Sequence, residues 1–330
     1  MLKNREDVLK LRDSWRESAG DHFIPLGGRD TKTESKKDIS NLTATLYNHL
    51  PLVKAIVDAV AADGIPAYVG YDGQYAGTRN GTYTDNLILL HQEADESSLA
   101  FIHAYSHELV HLDQDRRGLL REHAAIPPSY EMVNYLAHNL MLEAAAFATE
   151  AVSLYYISER STLPDKDDEV LDYFDEYAAG LPSNMFMREL IEESLEGKRG
   201  NDFLSLKPAW QAAFQAFFDP DSEHVKNYLK QFSQVYLKNA LEGNTEAKAQ
   251  SSAGKWGGLN ELKGITTMTG WGPMFPQAAL PILLRTIRAS IVQEKNLPMI
   301  DIVRSHVSTL EQAENSLGKN LLKMLSNLSP

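Results

Sequence analysis

Between Leu42 and Ala62, apolar residues at Leu46, Leu50, Val53, Ile56, Val57 and Val60 keep the three- and four-residue spacing of one helix face, and Gly64 follows as a stop. The texture then changes. Ala67-Tyr-Val-Gly-Tyr71 favours a strand, Asp72-Gly73 is a turn pair, and Asn80-Gly81 has the residues a tight hairpin turn requires, so Thr82 to His91 is expected to return as one strand. Its run Leu87-Ile-Leu-Leu90 is apolar on both faces, which predicts burial on both. A helix is expected from Asp95 or Ser97, either of which can cap free N–H groups, with Ile102, Tyr105, Leu109 and Leu112 as its packed stripe and a stop at Arg116-Arg117-Gly118. Pro127-Pro128 resets the chain, and Ser129 caps a long helix from Tyr130 to about Ser158.

Beyond Pro164 the pattern predicts amphipathic helices over 167–179, 184–196, 206–218, 222–241, 277–294 and 300–326. The exception is the glycine-rich stretch Gly254 to Pro273, which reads as a turn-rich connection packed by Trp256 and Trp271, with a lid or partner-binding loop as the alternative. The expected class is α+β and predominantly helical, with a small antiparallel sheet. Three parts follow: an N-terminal helix and linker over 1–40, a core over 41–160, and a helical region over 161–330.

Composition narrows the chemistry. A chain of 330 residues that is 43% hydrophobic can bury a sizeable core. With no cysteine, disulfides, thiolate nucleophiles and sulfur-built zinc sites are excluded, so any metal must be held by His, Asp or Glu. The net charge of -13, with no dense basic stripe, opposes nucleic-acid binding. The N-terminal residues carry no apolar stretch of the secretory kind, and the apolar segment Phe275 to Val292 is interrupted by Pro276, Pro281, Arg285 and Arg288. No membrane anchor is expected; the expected location is the cytoplasm of the producing cell, with signal-independent export left open.

Within the helix expected from Asp95 or Ser97 to the stop at Arg116-Arg117-Gly118, His107-Glu108-Leu109-Val110-His111 spells H-E-x-x-H. Residues four apart share a helix face, so both imidazoles can meet one ion, and Glu108 stands beside it as a base for a water molecule. The apolar stripe lies on a different side. Zinc held this way needs a third protein ligand and an open position. A third histidine close behind the motif would require Gly at 114 and His at 117, where the chain has Gln114 and Arg117. Glu143, in Leu140-Met-Leu-Glu-Ala-Ala-Ala-Phe147, interrupts an apolar face, and a metal ion would compensate so costly a carboxylate. The alanines after it would let another helix approach. His123, Glu122 and Glu150 are the other candidates, in falling order.

Several neighbours could support the site. His103 lies one turn before His107, and Asp113, Gln114 and Asp115 could hydrogen-bond the imidazoles, although each also reads as an ordinary helix-surface group. Tyr130, and with it Tyr135, could stabilise an oxyanion, but tyrosines in such places also serve as core.

His107, Glu108, His111 and Glu143 together resemble the zincin metallopeptidases, and more narrowly the gluzincin arrangement, in which a later helix supplies a glutamate. The phrases Ala76-Gly77-Thr78, Asn86-Leu-Ile-Leu89 and His111-Leu-Asp-Gln114 also resemble a group of bacterial metallopeptidases that includes injected effectors. The likeness spans roughly residues 40–160, and the glutamate helix lacks the Asn-Glu-x-x-Ser-Asp form of thermolysin-like enzymes. It implies a zinc-dependent endopeptidase acting on a protein or peptide, with residues 84–90 pairing with the extended substrate and the C-terminal half walling the cleft. The alternatives are a helical binding protein with a structural or vestigial zinc site, and hydrolysis of a non-peptide bond.

Overall fold

The computed structural model describes residues 24–25, 43–44, 46–48, 50–64, 66–72, 81–91, 98–120, 132–160, 187–195, 206–218, 225–229, 231–232, 235, 267–268 and 272–273. Pro51 decides where the first complete helix begins. Proline pushes its predecessor out of the helical region, and Leu50 is extended (φ -105, ψ 102), so the helix expected over 42–62 divides there. Residues 43–44 and 46–48 are helical, and α1 runs from Pro51 to Ala62. Its inner face buries Leu52, Val53, Ile56, Val57 and Val60, as the spacing predicts.

Four strands form one sheet: β1 (Ile24–Pro25), β2 (Tyr68–Asp72), β3 (Gly81–Thr84) and β4 (Leu87–His91), in the order β1-β2-β4-β3. The expected single strand 82–91 is instead a hairpin. Asp85 and Asn86 have φ of 46 and 69, the left-handed pair that a two-residue turn requires and that short polar side chains tolerate. Asn80, of the turn expected at Asn80-Gly81, lies outside the described residues, and Gly81 opens β3. Because β2 pairs with β4 in parallel while β3 and β1 pair antiparallel, the sheet is mixed rather than antiparallel. β4 is interior, and Leu87, Ile88, Leu89 and Leu90 are buried as predicted.

Two helices carry the centre of the molecule: α2 (Ser98–Arg116) and α3 (Met132–Arg160). α2 closes as expected. Gly118 is left-handed (φ +69), and the Gly118 and Leu119 N–H groups bond back to the Asp115 and Gln114 carbonyls at 2.8 Å each. From Leu136 to Tyr156 every residue of α3 is buried except the intermediate Glu143. Ala144, Ala145 and Ala146 lie inside, and α2 packs against α3.

The C-terminal half joins this pair through α4 (Met187–Leu195) and α5 (Lys207–Ala216), both within predicted spans. Trp210 is fully buried, and its Nε1–H donates to Thr149 Oγ1 at 3.0 Å. An aromatic layer continues through Phe147 against Phe217 (5.5 Å between centroids) and Phe217 against Tyr228 (6.0 Å), in the helical residues near 225–232. Inside the glycine-rich stretch, β5 (Thr267–Met268) pairs antiparallel with β6 (Gly272–Pro273). The predicted helices 167–179, 277–294 and 300–326, and Trp256 and Trp271, lie outside the described residues. Among the described residues no helix is long and apolar enough to cross a membrane. The class is α+β and mainly helical, as expected.

Candidate metal centre

Along α2, residues 103, 107 and 111 fall one turn apart and face α3, where 143 and 150 lie two turns apart on one stripe. A polar seam results between the two helices. In it the His107 and His111 Nε2 atoms are 3.2 Å apart, with their rings edge to face. Glu143 Oε2 lies 3.4 Å from His107 Nε2 and 3.6 Å from His111 Nε2. Among the described residues these three side chains form the one group whose ligand atoms converge closely enough to hold a metal ion. Each keeps a little exposure, 16%, 11% and 16% of the side chain.

The opposite ring nitrogens are held from behind. His107 Nδ1 lies 2.9 Å from Glu150 Oε2, and His111 Nδ1 lies 2.9 Å from Gln114 Oε1, whose amide donates to the Leu142 carbonyl at 3.0 Å. If each Nδ1 carries the proton, both Nε2 atoms present lone pairs to the same point. Of the three polar residues after the motif, only Gln114 makes this contact: Asp113 pairs with Arg117, and Asp115 accepts from the Tyr83 hydroxyl at 2.6 Å.

Glu108 stands on α2 beside this group, against the start of β3. A Cβ built on Gly81 would come 3.1 Å from Glu108 Cγ and 3.4 Å from its Oε1, so glycine there leaves the carboxylate its place. The Tyr83 backbone N–H donates to that carboxylate. Together with the bond from Tyr83 to Asp115, this ties the strand to the helix at two levels.

Burial alone would lower the His107 pKa, but the hydrogen-bonding carboxylates Glu143 and Glu150 outweigh it and hold it well above the ordinary imidazole value. His111 is likewise pulled down by burial and raised overall by Glu143. Burial would raise Glu143, yet His111 and His107 bring it well below the carboxylate range. Glu150, opposed in the same way by burial, is drawn down to about 2 by His103 and His107. Glu108 differs: burial wins, and its pKa is raised. Without metal, protons on the imidazoles balance the carboxylates, and a divalent cation could take their place.

The structure thus brings His107, His111, Glu143 and Glu108 together, as the sequence predicts, and puts His103 against Glu150. Glu150 stands behind His107 rather than in the converging group. Glu122, His123, Tyr130 and the Tyr135 side chain lie outside the described residues. The expectation that residues 84–90 offer a pairing edge is corrected: β4 has β2 on one side and β3 on the other, so the outer strand on this side is β3.

One residue was not anticipated. The Tyr228 hydroxyl donates to Glu143, and burial first, then the charges of Glu143, Glu108 and Glu150, lift its pKa well above the usual phenol value. Its position with Val225, Leu229 and Phe232 on one helical stripe gave it the pattern of a core residue. Comparison of the chain with protein-family models, with curated proteins and with solved structures finds no match.

Proposed function

We propose that the chain is a zinc-dependent hydrolase that cuts peptide bonds, with His107, His111 and Glu143 as metal ligands and Glu108 as general base. The observation that carries this reading is the size and setting of the donor triangle. A tetrahedral centre with bonds of roughly 2.0–2.1 Å places its donors roughly 3.3–3.4 Å apart. Here the separations are 3.2, 3.4 and 3.6 Å. An octahedral magnesium site has bonds of similar length but brings neighbouring donors to roughly 3.0 Å, and it prefers oxygen to imidazole. Two imidazoles, neutral when they bind a metal, and one carboxylate make three protein donors, the number that leaves a tetrahedral centre a position for substrate or water.

Zinc bound there would polarise a scissile carbonyl and make a coordinated water acidic. The remaining work falls to the chain. Glu108, buried beside the triangle, takes the proton of the attacking water and returns it to the leaving amine. Tyr228, whose phenol keeps its proton, can turn its hydroxyl from Glu143 to the oxyanion as the carbonyl is attacked, the part that Tyr130 was expected to play. An extended substrate can pair along the outer edge of β3, which carries no further strand among the described residues and begins at Gly81 beside the base. A structural zinc site would have no need of a buried Glu108.

The test is a cleavage screen on a proteome-derived peptide library with zinc-loaded protein and its Glu108→Gln variant. The variant should bind zinc as the wild type does and cut nothing. Unchanged cleavage by the variant would remove Glu108 from the mechanism, and a wild type that holds zinc but cuts no peptide would overturn the peptidase reading.

A further inference from the structure

We infer that His103, which is outside the metal triangle, is a positioning residue: by clamping the far oxygen of Glu150 it fixes the His107 ring for the metal. This rests on the zinc reading above. His107 offers Nε2 to the triangle, so the direction of that nitrogen is set by what grips Nδ1, which is Glu150 Oε2 at 2.9 Å. Glu150 therefore aims His107 only as well as it is itself held.

Its side chain is 1% exposed and shut off from bulk solvent, and a buried carboxylate gripped at one oxygen is costly and free to turn about its own bonds. The other oxygen, Oε1, lies 2.7 Å from His103 Nδ1. The contact is close but oblique to the ring N–H direction, and among the described residues no other donor is aligned with that oxygen. Two imidazoles one turn apart on α2 thus hold the two oxygens of one carboxylate on α3. His107 goes on to the donor triangle, and His103 does not. That division is the basis for assigning His103 to alignment rather than ligation. In its absence Glu150 Oε1 would be buried uncompensated, the carboxylate would swing, and His107 Nε2 would lose its aim at Glu143 and His111.

The experiment measures zinc affinity of chelator-stripped full-length protein by competition with a chromophoric chelator, alongside the melting temperature of each metal-free variant. His103→Ala should weaken zinc by about 10-fold or more, the usual effect of losing an outer partner of a metal ligand. Two substitutions separate alignment from packing. His103→Asn keeps an N–H near the position of Nδ1 and should bind nearly as the wild type; His103→Phe keeps the ring volume without a polar atom and should fail as alanine does. The reverse order would make His103 a packing residue and overturn the inference. Glu150→Gln should weaken zinc to a similar extent, and adding His103→Ala to it should cost less than about 2-fold more, because the two act in series. An equal penalty in both backgrounds, or wild-type affinity in the alanine variant, also overturns it. If the wild-type protein takes no zinc, the metal centre itself falls, an outcome distinct from a zinc-binding protein indifferent to residue 103.

Discussion

Replacing Glu143 by glutamine keeps the shape of the third donor and removes its charge, and its effect can be worked out in advance. At free zinc of about 100 times the wild-type dissociation constant, binding stabilises the folded protein by about 2.7 kcal/mol. Loss of an outer-sphere partner typically weakens a site by about 10–100-fold, and Glu143 is placed as a direct donor, 3.4 and 3.6 Å from the two Nε2 atoms, so its loss belongs at or beyond the upper figure. A 100-fold loss brings the ligand ratio to about 1 and the gain to RT ln 2, about 0.4 kcal/mol. In thermal melts of chelator-stripped protein, zinc should therefore raise the wild-type melting temperature by several degrees and that of Glu143→Gln by about one. Magnesium at the same concentration should raise neither. A glutamine variant that keeps the full zinc-induced rise would refute the assignment of Glu143 to the metal.

Stability of the metal-free protein should depend on pH in a defined direction. The folded pKa values of His107 and His111 lie above the ordinary 6.5, so the stability they supply is full below that value and is lost as pH rises through the folded values. Glu143 and Glu150 act oppositely: their contribution is full above 4.5 and is lost as pH falls through their depressed folded values, for Glu150 about 2. Melting temperature without metal should thus peak between those limits and decline on the alkaline side, while zinc affinity tightens over the same rise because the imidazoles must shed protons; a metal-free melt that climbs from pH 6 to 9 would contradict this. Gly81→Ala forces a methyl to 3.1 Å from Glu108 Cγ, and overpacking less the entropic gain leaves a cost of about 1–2 kcal/mol. It should keep zinc and lose most cleavage, and full cleavage would show that the strand does not place the base. Trp210→Ala empties a fully buried position and should cost about 3–5 kcal/mol in urea unfolding, whereas Thr149→Val, which removes the hydroxyl that accepts from the indole N–H, should cost about 1–3 kcal/mol.

The two central helices were legible because their signals are local. Gly118 closes α2, the apolar stripe defines its packed side, and an H-E-x-x-H placed on that helix points two imidazoles one way. Glu143 could be picked out since it breaks the apolar face of α3 one turn from Leu140 and Phe147. Glu150 breaks the same face, but its partner was not legible: whether such a carboxylate meets the metal or the back of an imidazole depends on the offset between two helices, which no spacing within either one encodes. The strand at 67–71 was legible and forms β2, but the division of 82–91 and the sheet pairing were not. Asp85-Asn86 is a weaker local turn signal than a pair ending in glycine, so the break between β3 and β4 was missed, and the pairing of β2 with β4 is non-local and parallel. Tyr228 was hidden because its surroundings come from α2 and α3 rather than from its own segment.

The charge pattern of the seam bears on why it exists. Two helices able to close on alanines and leucines instead bury three histidines and three glutamates between and beside them, and ionic groups in such places seldom stabilise more than apolar packing would. Most of these charges offset one another: Glu143 and Glu150 are drawn down while His107 and His111 are drawn up. Glu108 breaks the pattern, since burial raises its pKa despite both histidines. It gains one backbone N–H from Tyr83, and a glycine opposite makes room for it. A seam serving only to join α2 to α3 would be more stable with an apolar residue at 108, whereas the proposed general base has to be a carboxylate there.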